Sequence, residues 1–402
     1  MKIEHECPQC GAPIILEETD RLLSCDFCRV RLYIQARDYL RYFFPPADNV
    51  KDDLLFIPYW RFRGMHFLCR TDRIEQGLLD KTFSAVNHQS IQPSLGLRPQ
   101  TLKLRFVQPS DKRVFMQPQF SSEESYAATE QKVSEVLFYE SFIAETLSLL
   151  YTPIYIRDDV IYDAVLNEPA SNLCGGSLDL QGAGNNSGIM FLPAVCPNCG
   201  WDMIAERDSC ILICTHCNTL WETTAEGFRT TNFAVITGAK DNDNLMYLPF
   251  WRMKINVRGI DLKSYADLVR YANLPRSIRQ EWEEAGLYFW APAFKVPPAT
   301  FLMLSRQITL LQPNREIDDN LPGSRIYPAN LPRQEAVESV KTTLANMSAR
   351  KKILFPQLNN ISAGCMESLL VYYPFTETNT ELIQEELRLG IQKNALKLGQ
   401  TI

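Results

Sequence analysis

"CPQCGAPIILEETDRLLSCDFC", residues 7–28, and "CPNCGWDMIAERDSCILICTHC", residues 196–217, set down one pattern twice in a chain of 402 residues. Cys7-x-x-Cys10 is followed after a gap of 14 residues, Gly11 to Ser24, by Cys25-x-x-Cys28. Cys196-x-x-Cys199 is followed after the same gap, Gly200 to Ile213, by Cys214-x-x-Cys217. Two thiolates at this spacing sit on one tight turn with both sulfurs facing a common point, and two such turns close a tetrahedron around a soft divalent ion. A lone Cys-Pro-x-Cys also suits thiol–disulfide exchange, but that chemistry gives no role to a second pair at a fixed distance. Cys7, Cys10, Cys25 and Cys28 are therefore the expected ligands of one metal ion, and Cys196, Cys199, Cys214 and Cys217 those of a second.

The repetition runs beyond the cysteines. "LFIPYWRFR", Leu55 to Arg63, returns as "MYLPFWRMK", Met246 to Lys254, and "LLYTPIY" around Pro153 returns as "LVYYPFT" around Pro374. A looser match sets "RPQTLKL" from Arg98 beside "WAPAFKV" from Trp290. The offset is 189 positions from Cys7 to Cys196, 191 from Trp60 to Trp251 and 221 from Pro153 to Pro374. Offsets that only grow imply the same elements in the same order, with insertions in the second copy. A period of about 190 residues is too long for a solenoid unit, so tandem domain duplication is expected. Asn167 to Gly188, rich in Gly, Asn and Ser, reads as a linker. Its "GAGNNSG" lacks the preceding apolar strand and following helix of a dinucleotide loop.

Within each copy, "IPYWRFRG" and "LPFWRMKINV" are aromatic and β-branched enough for strands. Period-two alternation turns Trp60 and Phe62 to one face and Arg61 and Arg63 to the other. In the second copy Trp251, Met253 and Ile255 take the apolar side, with Arg252 and Lys254 on the basic side. A solvated outer face is the expectation for these cations, with a ligand-binding face as the alternative. Helices should follow. "SSEESYAATEQKVSEVLFY" opens with Ser121 and Glu124 at capping-box spacing and lines up Val133, Val136 and Leu137. Pro332 suits a first helical turn, with Ala336, Val340 and Leu344 as a core-facing stripe. "TELIQEELRLGIQKNALKLG" reads as helix by propensity and as strand by the alternation in LRLGI.

Composition narrows the setting. At 46% hydrophobic and 11% aromatic side chains the chain can bury more than one core, and its length suits roughly two to four domains. No charged segment followed by an apolar one marks a signal peptide, which together with twelve cysteines points to a cytoplasmic location. The longest apolar runs fall far short of the roughly 20 residues that span a bilayer. The formal charge of −6 becomes about −10 once two tetrathiolate sites each hold a divalent ion. No basic run offers the footprint of nonspecific nucleic-acid binding. Phosphate-loop, nucleophile-elbow and zinc-protease motifs do not occur. His5 and His216 lie beside or within the cysteine stretches, where four thiolates already suffice; His66 and His88 have no recognisable catalytic companion. Cys69, Cys174, Cys210 and Cys365 read as buried, inert thiols.

Cys7-Pro8-Gln9-Cys10-Gly11 with Cys25-x-x-Cys28, and Cys196-Pro197-Asn198-Cys199-Gly200 with Cys214-x-x-Cys217, resemble the zinc-ribbon superfamily, including ribbons of transcription-factor and rubredoxin-like type. The likeness covers about 22 residues per copy and bears on the metal and the local fold. Rubredoxins usually carry glycine after the second cysteine of both knuckles; here the second knuckles continue with Arg29 and Asn218, which favours zinc over iron. "PYWRFR" and "YYPF" look similar to bacterial multi-domain proteins in which ribbons precede small α+β domains. The expected fold is therefore α+β, a tandem duplication of a four-cysteine zinc ribbon followed by a small mixed α/β domain. Its parts are ribbon 1–38, α+β domain 39–166, linker 167–190, ribbon 191–228 and α+β domain 229–402. The expected function is a non-enzymatic adaptor or structural subunit of a cytoplasmic protein assembly, with two zinc ions per chain and a protein partner. Nucleic-acid binding through the ribbons and one-electron transfer by rubredoxin-like iron are the alternatives.

Overall fold

The aromatic, alternating stretches around the two tryptophans form long strands in the cores of their halves, Leu55–Arg70 and Leu245–Arg258. The computed structural model describes residues 1–50, 52–129, 136–158, 160–170, 188–224, 226–237 and 244–402. In the first half Leu55–Arg70 runs antiparallel to Leu137–Arg157, with Phe56 opposite Pro153 and Trp60 opposite Leu149. In the second half Leu245–Arg258 runs antiparallel to Ser362–Glu377, with Tyr247 opposite Pro374 and Trp251 opposite Leu370. Each pair is flanked by parallel strands in the same positions. Leu40–Phe43 and Phe233–Ile236 join the later strand, and Val114–Phe115 and Arg325–Ile326 join the earlier one. Hydrogen bonds outside the ladders recur too. The Ala85 N–H donates to the Pro58 carbonyl at 3.1 Å and the Ala293 N–H to the Pro249 carbonyl at 3.0 Å. The looser match does not hold in space: Arg98–Thr101 is a helical turn, whereas Trp290 lies in the strand Tyr288–Pro292.

The α+β expectation is overturned. Among the described residues 43% are strand and 18% helix, so the chain is mostly β, built on one ten-stranded and one eight-stranded sheet. The second cysteine group lies among strands, Ile211–Cys214, Thr219–Thr224 and Gly227–Thr231, rather than in a ribbon set before a small α+β domain. The physical reason is edge pairing, since a ribbon hairpin leaves backbone N–H and C=O groups unpaired along its outer strand. Here distant strands take them up. Lys2–Glu6 pairs with Pro13–Glu17 on one side and, in parallel, with Lys103–Phe106 on the other. Arg31–Gln35 pairs with Leu22–Ser24 and with Met190–Pro193 from beyond the middle of the chain. Local periodicity shows that a segment is strand but does not name its partner.

Helix expectations divide in the same way. The Ser121 capping box forms, with Ser121 N–H donating to Glu124 Oε2 at 2.8 Å and Glu124 N–H to Ser121 Oγ at 3.2 Å. The helix covers Ser122–Thr129; Val133 lies outside the described residues, and Leu137 opens a strand opposite Arg70. Pairing with a long partner strand overrides the local helical pattern there. The second helix forms over Arg333–Met347 after Pro332 and buries Ala336, Val340 and Leu344. The C-terminal stretch is both: a hairpin of Glu381–Gln384 and Leu389–Gln392, then a helix, Lys393–Gly399. Of the expected linker, residues 171–187 lie outside the described residues.

The basic strand face is covered in the first half and partly solvated in the second, where the Lys254 side chain is 40% exposed. Arg61 is 2% exposed, and its guanidinium meets Glu18 in the turn after Pro13–Glu17 and Asp80 on the neighbouring strand. Arg63 donates to Glu18 at 3.2 Å and to the Thr401 carbonyl. In the second half Arg252 lies 4.9 Å over the Tyr288 ring and Lys254 sits 3.7 Å from Glu367. One apolar cluster joins Met65, Phe67 and Ile143 to Phe301, Val340 and Leu344, so the far ends of the first half's long strands pack on the helices of the second. No helix among the described residues is long and apolar enough to cross a membrane.

Candidate metal centres

Three of the cysteine pairs lie on turns closed by a backbone hydrogen bond. The Gly11 N–H donates to the Cys7 carbonyl at 2.8 Å, Arg29 to Cys25 at 2.8 Å and Gly200 to Cys196 at 2.9 Å. The residue after the second cysteine must turn left-handed for the chain to leave the knuckle, and all four do so: Gly11 at φ 73°, Arg29 at 60°, Gly200 at 74° and Asn218 at 53°. Glycine enters that region at no steric cost, and asparagine enters it more readily than arginine. The substitutions that set the second knuckles apart in sequence thus leave the backbone path unchanged.

These turns bring the sulfurs together. Within each group the four Sγ atoms lie within 4.8 Å of one another. Cys7 and Cys28 are 3.7 Å apart, Cys10 and Cys25 3.7 Å, Cys196 and Cys217 3.6 Å, and Cys199 and Cys214 3.5 Å. A tetrahedron with metal–sulfur bonds of about 2.3 Å has edges of about 3.8 Å. The eight cysteines singled out by spacing therefore fall into two groups that could each hold a metal ion. Cys7, Cys25, Cys196 and Cys214 are buried and Cys10 and Cys28 exposed, so each group sits at a surface with an apolar floor. Backbone donors also favour thiolates. The Cys28 N–H brings the Cys25 thiol down to about 7 against the effect of burial, with help from the Phe27 N–H. At Cys196 burial works the other way, but the Cys199 and Asn198 N–H groups outweigh it and hold the thiol at about 6.

Neither His5 nor His216 belongs to a sulfur group. His5 stacks on Phe191 at 5.0 Å and meets Phe106 edge-on, and His216 stacks on Trp201 at 5.0 Å. Cys69 and Cys210 are buried thiols raised by desolvation, Cys69 to about 12, whereas Cys365 is only half-buried; Cys174 lies outside the described residues. One association escaped the sequence. His66 Nε2 lies 2.5 Å from Glu140 Oε1, which also accepts from the Tyr126 hydroxyl at 2.6 Å. His66 and Glu140 lie on paired strands and share no motif, and Tyr126 reaches them from the helix Ser122–Thr129, so tertiary structure rather than spacing brings them together. Compared with protein-family models, curated proteins and solved structures, the chain matches none.

Proposed function

We propose that each four-cysteine group binds one zinc ion, and that the chain is a non-enzymatic, zinc-stabilised adaptor or structural subunit of a larger cytoplasmic protein assembly. The observation that carries the metal reading is the convergence of four sulfurs in each group to within 4.8 Å, with two of the distances in each group, 3.5–3.7 Å, at the edge length of a tetrathiolate. Cys7, Cys10, Cys25 and Cys28 would hold the first ion, and Cys196, Cys199, Cys214 and Cys217 the second. Zinc supplies no redox step; it holds together turns that lack an apolar core of their own. Apparent zinc affinities in small cysteine-rich units are worth about 10–16 kcal/mol, on the scale of the roughly 5–15 kcal/mol that stabilises a whole domain.

The recurring strand register supports reading the chain as a tandem repeat, with ribbons at 1–38 and 191–228, β-rich units at 39–166 and 229–402, and a linker at 167–190. Partner binding draws support from the surface of the ribbons. Phe27 is 73% exposed and Trp201 58%, and large apolar side chains left to water on a small rigid unit suit a protein contact. Affinity purification from the native host tests this reading. Stoichiometric protein companions are expected, and a lone chain would sink the adaptor assignment.

A further inference from the structure

The two sulfur groups share a backbone but differ in what surrounds it. Two residues past the last cysteine the first group has Val30 and the second Thr219. Thr219 Oγ1 lies 3.0 Å from Cys217 Sγ and 3.8 Å from Cys196 Sγ, and accepts a hydrogen bond from Trp221 Nε1 at 3.0 Å. An indole N–H only donates, so Trp221 occupies an acceptor site of the hydroxyl and leaves its O–H for the sulfur. A thiolate that accepts a hydrogen bond is a weaker nucleophile and yields less readily to protons and electrophiles. Val30, and Leu32 in the place of Trp221, have no donor to offer.

The knuckles differ as well. Trp201 follows the first knuckle of the second group and His216 lies within its second; the two rings stack at 5.0 Å and 16°, spanning both turns. The corresponding residues of the first group are Ala12, which has no ring, and the exposed Phe27. At the left-handed position Asn218 donates through Nδ2 to the Asp319 carbonyl at 2.7 Å and accepts from the Leu321 N–H through Oδ1 at 2.9 Å. Arg29, in the same place, carries donors only and cannot make that two-way bridge. Cys28 is exposed where Cys217 is half-buried.

We propose, building on the zinc reading above, that the two centres differ in kind. The centre of Cys196, Cys199, Cys214 and Cys217 is a permanent structural clamp. The centre of Cys7, Cys10, Cys25 and Cys28 is an exchange site, open to soft metal ions and thiol-reactive compounds from solution. Thr219 is the positioning residue that sets the second centre apart.

The test uses the full zinc-loaded chain, mixed with excess EDTA and N-ethylmaleimide and sampled over time, with labelled cysteines read by peptide mass spectrometry. Cys10 and Cys28 should label at least about 10-fold faster than Cys199 and Cys217. Thr219→Val should speed labelling of Cys217 toward the rate of Cys28, and Thr219→Ser, which keeps the hydroxyl, should leave it slow. Equal rates in the wild-type chain, faster labelling of the second group, or a Thr219→Val rate no different from wild type would overturn the assignment. Zinc content of the starting sample separates the two readings. Two ions per chain with equal rates would overturn this inference alone, and a chain without zinc would overturn the metal reading with it.

Discussion

Arg61 and Glu18 form a two-point ion pair, Nε to Oε1 at 2.8 Å and the second amino nitrogen to Oε2 at 3.0 Å, with side chains 2% and 0% exposed. The pair ties the turn after the strand Pro13–Glu17 to the strand Leu55–Arg70. Removing one partner from such a pair leaves an uncompensated buried charge.

Glu18→Ala should destabilise the chain by up to about 3–5 kcal/mol, the full amount being reached only if Asp80, 2.6 Å from Arg61, does not make up for the lost partner. Urea unfolding reads the loss. The double substitution Glu18→Leu with Arg61→Met should lose less, because both fully buried charges go together and the Asp80 and Arg63 they leave behind are within reach of water; equal losses would show that the packing of the turn, not the charge, is what matters.

Two zinc ions per chain are expected on elemental analysis of protein purified without added metal. One ion, or iron in stoichiometric amount with the visible absorption of a ferric tetrathiolate, would overturn that assignment.

Cys25→Ser should remove one ion and loosen more than the turns of its own cysteine group. Met190–Pro193 completes the sheet of Arg31–Gln35, and Arg31 donates to the carbonyls of Met203 at 2.8 Å and Ala205 at 3.0 Å. Hydrogen exchange should rise in Leu22–Ser24, Arg31–Gln35 and Met190–Pro193 while Ser362–Glu377 stays protected. Unchanged protection at Met190–Pro193 would mean that the strands leading to the second cysteine group stand without the first group.

Trp60→Phe and Trp251→Phe should carry similar penalties, each about 1–3 kcal/mol, since each strips the same hydrogen bond from a carbonyl two residues before a helix. Trp60 Nε1 donates to Phe120 and Trp251 Nε1 to Leu331, both at 2.9 Å. Denaturation midpoints would read the two losses, and a large difference would separate the two halves energetically.

Lys295 gives a pH test. Burial, reinforced by Arg21 and Arg63, lowers its pKa to about 8 against the pull of Glu335 and Asp208, and its ammonium donates to the Ile402 carbonyl at 3.0 Å. The unfolded chain keeps that proton up to about pH 10.4, so between about 8 and 10.4 it binds more protons than the folded one. The penalty for burying the charge is complete below pH 8 and lifts across that window. Subtracting the stability of Lys295→Met from that of wild type should give a difference that moves in favour of wild type from pH 8 to 10.4. A flat difference would show that the ammonium is solvated in the folded chain.

The sequence by itself determined the two cysteine groups, because x-x spacing dictates the knuckle and the knuckle dictates where sulfurs point. It also determined the tryptophan strands and the Ala336–Val340–Leu344 stripe, since alternation and four-residue spacing are local properties of the backbone. Tertiary structure alone decided the rest. Leu137 became strand because Arg70 lies opposite, and Arg61 became buried because Glu18 covers it. The strands around the first cysteine group joined sheets beyond their own hairpins because Lys103–Phe106 and Met190–Pro193 meet their free edges. Backbone hydrogen bonds between strands carry no sequence label, and a charge is hidden or solvated according to what packs over it. Both depend on partners far along the chain, which spacing does not encode.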